Sequence, residues 1–231
     1  MAATDLIERF EAFSSSELFA AVREHLPNRP SRVLDIGAGT GRDAAWFAAQ
    51  SHDVVAVEPV DALRNAGIAR HSSPRISWIK DSLPALSRTR ALGQRWDLIL
   101  LCGVWQHLDD ADRHVAFSTL RQISAAGCKV VMSLRHGPGA PTRPVHPIDV
   151  PDTQQRAAHH GFSTRHKVQM PSLQRRNRAS GVTWTWLVLQ AEANPSRDDQ
   201  RGLGTAPTAA CSAWAVITDW CQSDDGQFQS P

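Results

Sequence analysis

The sequence lacks several features that mark particular classes of protein. Its 231 residues include four cysteines, Cys102, Cys128, Cys211 and Cys221, and none of them has the spacing of a Cys-x-x-Cys metal or redox site. The 25 basic and 23 acidic residues nearly balance, so no strong positive field is present to capture nucleic acid. The longest apolar run, Trp96 to Trp105, falls far short of the roughly 20 residues of a membrane span. We therefore expect a cytoplasmic protein with reduced thiols and no bound metal.

A glycine-rich turn is the most informative feature that is present. Gly37, Gly39 and Gly41 occupy alternate positions after a predicted strand, Arg32–Ile36. A predicted helix, Arg42–Gln50, follows the turn directly. Glycine lets the backbone turn sharply and approach a ligand, and the first amides of the helix face that ligand. This arrangement is typical of a nucleotide-cofactor site in a doubly wound α/β domain.

Two acidic residues indicate which cofactor the turn fits. In the dinucleotide fingerprint the third glycine comes three positions after the second, and the turn holds a pyrophosphate. Here the spacing is Gly-x-Gly-x-Gly, and Asp35 stands two positions before the first glycine. A carboxylate there repels a pyrophosphate and suits the ammonium and sulfonium of S-adenosylmethionine. Glu58 ends the next predicted strand, Val54–Glu58, where a carboxylate can accept both ribose hydroxyls.

On these residues the chain resembles the class I S-adenosylmethionine-dependent methyltransferases. Val33 to Gly41 match the first motif of that family, and Val54 to Pro59 match the second. The resemblance covers residues 32–190. It implies a doubly wound, mostly parallel seven-stranded α/β sheet with a C-terminal antiparallel hairpin strand. It also implies methyl transfer to an O, N or C nucleophile of a small molecule, with the protein mainly aligning the reactants.

The order of the predicted elements agrees with this resemblance. Strands and helices alternate through the fifth strand, which predicts a parallel sheet covered on both faces. The predicted strands are Arg32–Ile36, Val54–Glu58, Arg75–Lys80, Trp96–Leu101, Lys129–Leu134, Phe162–Gln169 and Thr183–Gln190. Between the last two, the loop Met170–Val182 leaves little room for a crossover helix, so these strands must pair antiparallel.

The chain divides into three predicted regions. Residues 1–30 carry apolar side chains at helical spacing and are expected to form a helical cover over the cofactor cleft, ended by Pro27 and Pro30. Residues 31–191 form the expected methyltransferase domain. Residues 192–231, rich in Pro, Gly, Ser and Asp, are predicted to be a disordered tail.

The resemblance assigns cofactor contacts to the carboxyl ends of the strands. It implies that the backbone of Gly37 and Gly39 borders the methionine part, that Asp35 acts on the ammonium and that Glu58 holds the ribose. Asp81 would meet the adenine amine, although an acid at this position can equally cap a helix. The further expected cofactor contacts are Ala38, Gly41, Arg42, Pro59, Ser82, Leu83, Cys102 and Gly103.

Three residues are candidates for catalysis. His107 can act as a base, because its unperturbed pKa lies near neutrality, or it can be a packing histidine. Arg135 and His136 follow the fifth strand and are expected to point over the cleft. There Arg135 can bind a carboxylate or phosphate, and His136 can deprotonate a hydroxyl or amine, unless both are surface loop residues. Arg143 and His146 would form part of a lid.

Other functions stay open at this point. A non-catalytic S-adenosylmethionine-binding or scaffold protein would share the cofactor motifs, and a nicotinamide-dependent oxidoreductase is disfavoured by the glycine spacing and Asp35. RNA methylation would use the basic residues Arg175, Arg176 and Arg178, which otherwise form a solvated face. The Asn/Asp-Pro-Pro-aromatic motif of nucleic-acid amino-methyltransferases is absent. We expect a small-molecule acceptor, no DNA or membrane partner, and leave the oligomeric state open.

Overall fold

Seven strands form one mixed sheet in the computed structural model, which describes residues 3–139 and 145–193. The strands are β1 Arg32–Ile36, β2 Asp53–Val57, β3 Ile76–Ile79, β4 Trp96–Cys102, β5 Ser124–His136, β6 Phe162–Pro171 and β7 Thr183–Ala191. Their order is β3-β2-β1-β4-β5-β7-β6, with β1 to β5 parallel and β7 antiparallel to both of its neighbours. The predicted doubly wound sheet with a C-terminal antiparallel hairpin is therefore confirmed. The expected tail beyond residue 193 and Arg143 of the expected lid lie outside the described residues.

Eight α-helices surround the sheet in the described part of the chain. They are α1 Ala3–Glu11, α2 Ser15–Leu18, α3 Arg42–Ala49, α4 Asp61–Arg70, α5 Ser87–Ala91, α6 Asp110–Ile123, α7 Val150–His159 and α8 Arg175–Ala179, with 3₁₀ turns at Ala20–His25 and Trp105–His107. Side chains of Asp109 and Asp149 cap α6 and α7, because each accepts the backbone N–H three residues on. None of the described helices has the length and apolarity needed to cross a bilayer.

Strand alternation divides the core between the two faces of the sheet. On one face, Leu34, Ile99 and their neighbours pack with Phe117 of α6. On the other face, Val33, Leu98 and their neighbours pack with Phe47 of α3. Both clusters consist of buried side chains, as expected for strands covered on both sides.

Two segments at the end of the fold differ from the sequence prediction. β5 runs from Ser124 to His136, beyond the predicted Lys129–Leu134, since its start pairs with β4 across an irregularity between Trp96 and Leu98. The predicted loop of the hairpin is shortened, because β6 continues to Pro171 and α8 occupies part of the connection to β7. Arg178 holds this connection by donating to the carbonyls of Ser172 and Leu173 at 2.8 and 2.6 Å.

The N-terminal helices pack across the carboxyl edge of the sheet. Leu6 of α1 is buried against Val60 and Leu63, at the start of α4. Ser14 and Glu17 form a capping box at α2. The 3₁₀ turn after α2 ends at His25, just before Pro27, as the sequence predicted. These contacts place α1 and α2 directly above the glycine turn.

Candidate active site

A cavity of about 320 Å³ opens between the carboxyl ends of the strands and the N-terminal helices. Ligand sites in open α/β sheets form at this edge. Many residues predicted from the sequence meet in its wall. Those that line it are Asp35, Gly37, Ala38, Gly39, Arg42, Glu58, Cys102, Gly103, His107 and Arg135.

Six predicted residues do not line this cavity: Gly41, Pro59, Asp81, Ser82, Leu83 and His136. Gly41 caps α3 instead, in a left-handed conformation (φ +78°) beneath the ring of Trp78. The carboxylate of Asp81 accepts the N–H groups of Ser82 and Thr89 at 2.9 and 2.8 Å, and the Thr89 hydroxyl at 2.9 Å. Its oxygens are therefore engaged in holding the start of α5, the alternative role that a loop acid can play.

The prediction that both Arg135 and His136 point over the cleft is wrong for His136. Because β5 continues through His136, Arg135 and His136 lie on opposite faces of the sheet. The His136 ring forms a 2.9 Å hydrogen bond with the hydroxyl of Thr185 on β7. Burial lowers the pKa of His136. The structure therefore gives His136 a packing position away from the cavity.

The glycine turn brings backbone close to the cavity and to α1. Gly37 and Ala38 donate to the carbonyl of Val57 at 2.8 and 3.0 Å, which fixes the turn against β2. Gly39 has φ +58°, and a Cβ there would lie 3.0 Å from the Phe10 ring. Both the conformation and the space thus require glycine at this position.

Glu58 is held in place by the turn on one side and by α4 on the other. It is buried, its Oε2 accepts the N–H of Gly39 and its Oε1 accepts the N–H of Val60, both at 2.8 Å. A carboxylate oxygen can accept more than one hydrogen bond. A ligand with two neighbouring hydroxyls matches this fixed, buried acceptor pair.

Asp35 is a buried carboxylate with an unsatisfied oxygen. Its Oδ2 has no hydrogen-bond partner, and burial raises the pKa of Asp35 well above its usual range. The nearby carboxylates of Asp43 and Glu58 raise that pKa further, whereas Arg42 and the N–H of Ala44 favour the ionised form. A cationic group in the cavity would satisfy the free oxygen and stabilise the charge.

Arg42 lines the cavity, but its guanidinium is engaged by the protein. Its Nε and Nη2 donate to the two oxygens of Asp43 at 2.9 Å each, and its Nη1 donates to the carbonyl of Phe10 at 2.6 Å. The same group lies 4.2 Å from the centre of the Phe13 ring. The hydroxyl of Ser15 completes the cluster with a 2.6 Å bond to Asp43. Arg42 therefore ties the N-terminal helices to α3.

The segment after β4 forms the floor of the cavity near His107. His107 is buried within the 3₁₀ turn, and its Nε2 lies 3.4 Å from Nε2 of Gln106. Gln106 donates to the carbonyl of Gly103 at 2.5 Å, while its Oε1 is buried without a partner. The backbone of His146 donates to the carbonyl of Gln106 at 2.8 Å, which anchors the segment beyond β5 to this turn.

Two groups of residues that line the cavity were not named as site residues from the sequence, although the helical cover that carries one of them was expected to lie over the cleft. One comes from the N-terminal cover and includes Arg9, Phe10 and Phe13; the other comes from the β6–β7 hairpin and includes Trp184 and Trp186. Arg9 links the two groups, because its Nη2 donates to Gln174 at 3.2 Å. The alternation of Trp184 and Trp186 was the available signal, since residues two apart on a strand share a face.

Comparison with known proteins places this fold in a defined class. The seven-stranded sheet is that of the class I methyltransferases. A profile of the methyltransferase domain matches residues 8–194, and the chain belongs to that family. No curated protein matches the chain in sequence.

Three solved structures with a similar fold each share less than a fifth of their residues with the chain. It is similar to 1,6-didemethyltoxoflavin-N1-methyltransferase of Burkholderia thailandensis, solved with 1,6-didemethyltoxoflavin and S-adenosylhomocysteine (TM-score 0.63, 19% identity, 83% of this chain and 87% of that one). It is also similar to a TehB-like methyltransferase of Corynebacterium glutamicum (0.61, 17%, 83% and 98%). A third is the magnesium protoporphyrin IX methyltransferase of Synechocystis PCC 6803, solved with S-adenosylmethionine (0.59, 14%, 77% and 77%). The S-adenosylhomocysteine and S-adenosylmethionine bound in the first and third of these structures are consistent with S-adenosylmethionine as the cofactor expected from the sequence.

Proposed function

We propose that this chain transfers the methyl group of S-adenosylmethionine to an O, N or C nucleophile of a small molecule. The observation that carries the proposal is the pairing of two buried acids in one cavity: Glu58, fixed by two backbone amides, and Asp35, with a free oxygen. Glu58 suits the ribose hydroxyls and Asp35 suits the ammonium. The backbones of Gly37, Gly39 and Gly103 then border the methionine part.

We propose a different position for the adenine ring from the one expected from the sequence. The carboxylate of Asp81 already accepts hydrogen bonds from α5. Val60 and Leu63, in contrast, form an apolar part of the cavity wall next to Glu58. We place the adenine ring against that wall. Contacts from Asp81, Ser82 and Leu83 stay a prediction that requires the start of α5 to rearrange.

The reaction is an in-line displacement at the methyl carbon. A lone pair of the acceptor forms the new bond to carbon as the carbon–sulfur bond breaks, and the electron pair of that bond stays on sulfur. Because the sulfonium is a strong leaving group, alignment and exclusion of water are the main tasks of the protein. Where the acceptor carries an O–H or N–H, we assign His107, in the cavity wall, to take its proton.

A small acceptor is supported by the two elements that flank the cavity. The N-terminal cover and the hairpin both contribute to its wall, and Arg9 joins them through Gln174. The toxoflavin and protoporphyrin enzymes of similar fold are named for small-molecule substrates. We also propose a cytoplasmic location, which fits the free thiols of Cys102 and Cys128.

Transfer of a radiolabelled methyl group tests this function. The purified chain is incubated with methyl-labelled S-adenosylmethionine and, in separate reactions, with an aromatic metabolite extract and with total RNA. We expect label in small molecules, with a lower kcat for His107→Gln and unchanged cofactor affinity. Label confined to RNA would favour an RNA methyltransferase. Cofactor binding without transfer to either pool would favour a non-catalytic binding protein.

A further inference from the structure

Arg135 and Trp184 are direct neighbours on the face of the sheet that forms the cavity wall. They are partners in the antiparallel β5–β7 ladder, and Ser133 and Trp186 form the next pair on the same face. Directly opposed side chains have Cβ atoms about 5 Å apart, so one ligand can touch both. Both Arg135 and Trp184 line the cavity.

Trp184 also reaches the end of the cavity where the methyl donor is proposed to lie. Its Cη2 is 3.6 Å from the position that a Cβ would take at Gly103. The N–H of Gly103 donates to the Ser133 hydroxyl at 2.8 Å, which fixes this backbone against β5. A ring held on Trp184 would therefore lie next to the methionine part of the cofactor.

The two tryptophans of this wall differ in their packing. Trp186 is buried and its ring meets Phe19 at a centroid distance of 5.8 Å. Trp184 is only partly buried, and no other aromatic ring in the described residues packs against it. Aromatic faces favour offset or edge contacts with other rings. Trp184 therefore suits a planar ligand, whereas the ring of Trp186, in the same wall, is already packed against Phe19.

Arg135 is a partly buried cation with spare hydrogen-bonding capacity. Its Nη1 donates to the carbonyl of Gly137 at 3.1 Å, and it forms no ion pair with any acid in the described residues. A guanidinium has five N–H donors and binds a carboxylate through two parallel bonds. An anionic ligand would supply the missing partner.

Charges in the cavity are separated in a way that orients such a ligand. Asp35, Asp43 and Glu58 lie at the β1–β2 end, near the glycine turn. Arg135 lies across the sheet on β5. Glu17 also lines the cavity, with its carboxylate engaged by Ser14 in the capping box. Arg42 also lies at that end, but its guanidinium is paired with Asp43, and Arg9 donates to Gln174. An anionic group is therefore attracted toward Arg135 rather than toward the acidic end of the cavity.

We infer that the methyl acceptor is a planar aromatic carboxylic acid, with its ring on Trp184 and its carboxylate on Arg135. This inference rests on the proposed methyltransferase function and narrows its substrate class. Arg135 then sets specificity through binding and takes no part in the chemical step. The rival role for the guanidinium is to hold the carboxylate of the cofactor itself, and the test separates the two.

Matched pairs of acids and amides test the inference. Benzoate, 2-naphthoate and indole-3-carboxylate, and the amide of each, are titrated calorimetrically into protein saturated with S-adenosylhomocysteine. We expect at least one acid to bind about tenfold or more tightly than its amide, because a charge-assisted pair is lost in the amide. In Arg135→Gln the ratio of acid affinity to amide affinity should fall to about one. In Trp184→Leu both the acid and its amide should bind more weakly. Arg175→Gln, outside the cavity wall, is the matched control and should behave as wild type.

Three outcomes would overturn the inference. These are equal binding of acids and amides, no binding of any acid at millimolar concentration, and a large loss of S-adenosylhomocysteine affinity in Arg135→Gln, which would assign the guanidinium to the cofactor. Failure of the wild-type protein to bind S-adenosylhomocysteine would instead contradict the proposed function on which the inference rests. The two failures are therefore distinguished by the first titration in the series.

Discussion

Oε2 of Glu58 accepts a 2.8 Å hydrogen bond from the backbone N–H of Gly39. The bond joins the end of β2 to the turn after β1, two neighbouring parallel strands. Since Oε1 is held by Val60 in the same way, the carboxylate keeps one orientation without any ligand. Preorganisation of this kind removes part of the entropic cost of binding.

Substitution of Gly39 is expected to abolish cofactor binding with a modest loss of stability. Gly39→Ala forces a left-handed conformation (φ +58°) and places a methyl group 3.0 Å from the Phe10 ring. The conformation alone costs roughly 1–2 kcal/mol. Gly93→Ala is the control, because Gly93 has φ +64° and no atom within 4 Å of its added Cβ. Thermal unfolding should show a lower melting temperature in both variants. Calorimetry should show that only Gly39→Ala no longer binds S-adenosylhomocysteine. Equal binding by the two variants would contradict the role assigned to the turn.

The affinity for S-adenosylhomocysteine is expected to increase with pH. In the free protein, burial and the neighbouring acids raise the pKa of Asp35, so its protonated form is favoured. The ammonium of the ligand favours the ionised form and so lowers the pKa of Asp35 in the complex. Binding at a pH between the pKa of the complex and that of the free protein therefore releases a proton. Affinity should rise with pH until the free carboxyl is ionised and then level off. Titrations in buffers of different ionisation enthalpy measure the released proton.

Two controls isolate the contribution of Asp35. Methylthioadenosine lacks the ammonium, so its affinity should show little of this pH dependence. Asp35→Asn should remove the proton release and most of the pH dependence for S-adenosylhomocysteine. An unchanged pH profile in Asp35→Asn would show that another group is responsible.

The ring of Trp78 leaves no room for a side chain at Gly67, inside α4. A Cβ at Gly67 would lie 2.4 Å from Cη2 of Trp78 and 2.7 Å from the carbonyl oxygen of Thr40. Alanine is favoured over glycine in a helix by about 1 kcal/mol, but overpacking costs typically about 1–3 kcal/mol. Gly67→Ala should therefore lower the free energy of unfolding in urea. Ala69→Gly, at an exposed position of the same helix, should also lower the free energy of unfolding. Alanine is thus expected to be preferred at position 69 and glycine at position 67. A more stable Gly67→Ala would mean that Trp78 moves without cost.

The parts of the site that were predicted depend on short stretches of sequence. The glycine spacing, Asp35 and Glu58 are local signals, and both acids and the first two glycines reach the cavity. His136 was misplaced because β5 continues past Leu134, and each added strand residue reverses the face of the next side chain. Trp184 was not identified because its position in the wall depends on its pairing with Arg135, a contact between distant parts of the chain.

Binding of S-adenosylhomocysteine by wild-type protein and by Glu58→Gln, compared with binding of NAD, tests the central claim most directly. The substitution keeps the shape of the side chain but removes the charge and one acceptor, so circular dichroism should show a folded variant. We predict that the wild-type protein binds S-adenosylhomocysteine and not NAD, and that Glu58→Gln loses roughly tenfold or more in affinity. Binding of NAD, or equal affinity of the two proteins for S-adenosylhomocysteine, would contradict the account.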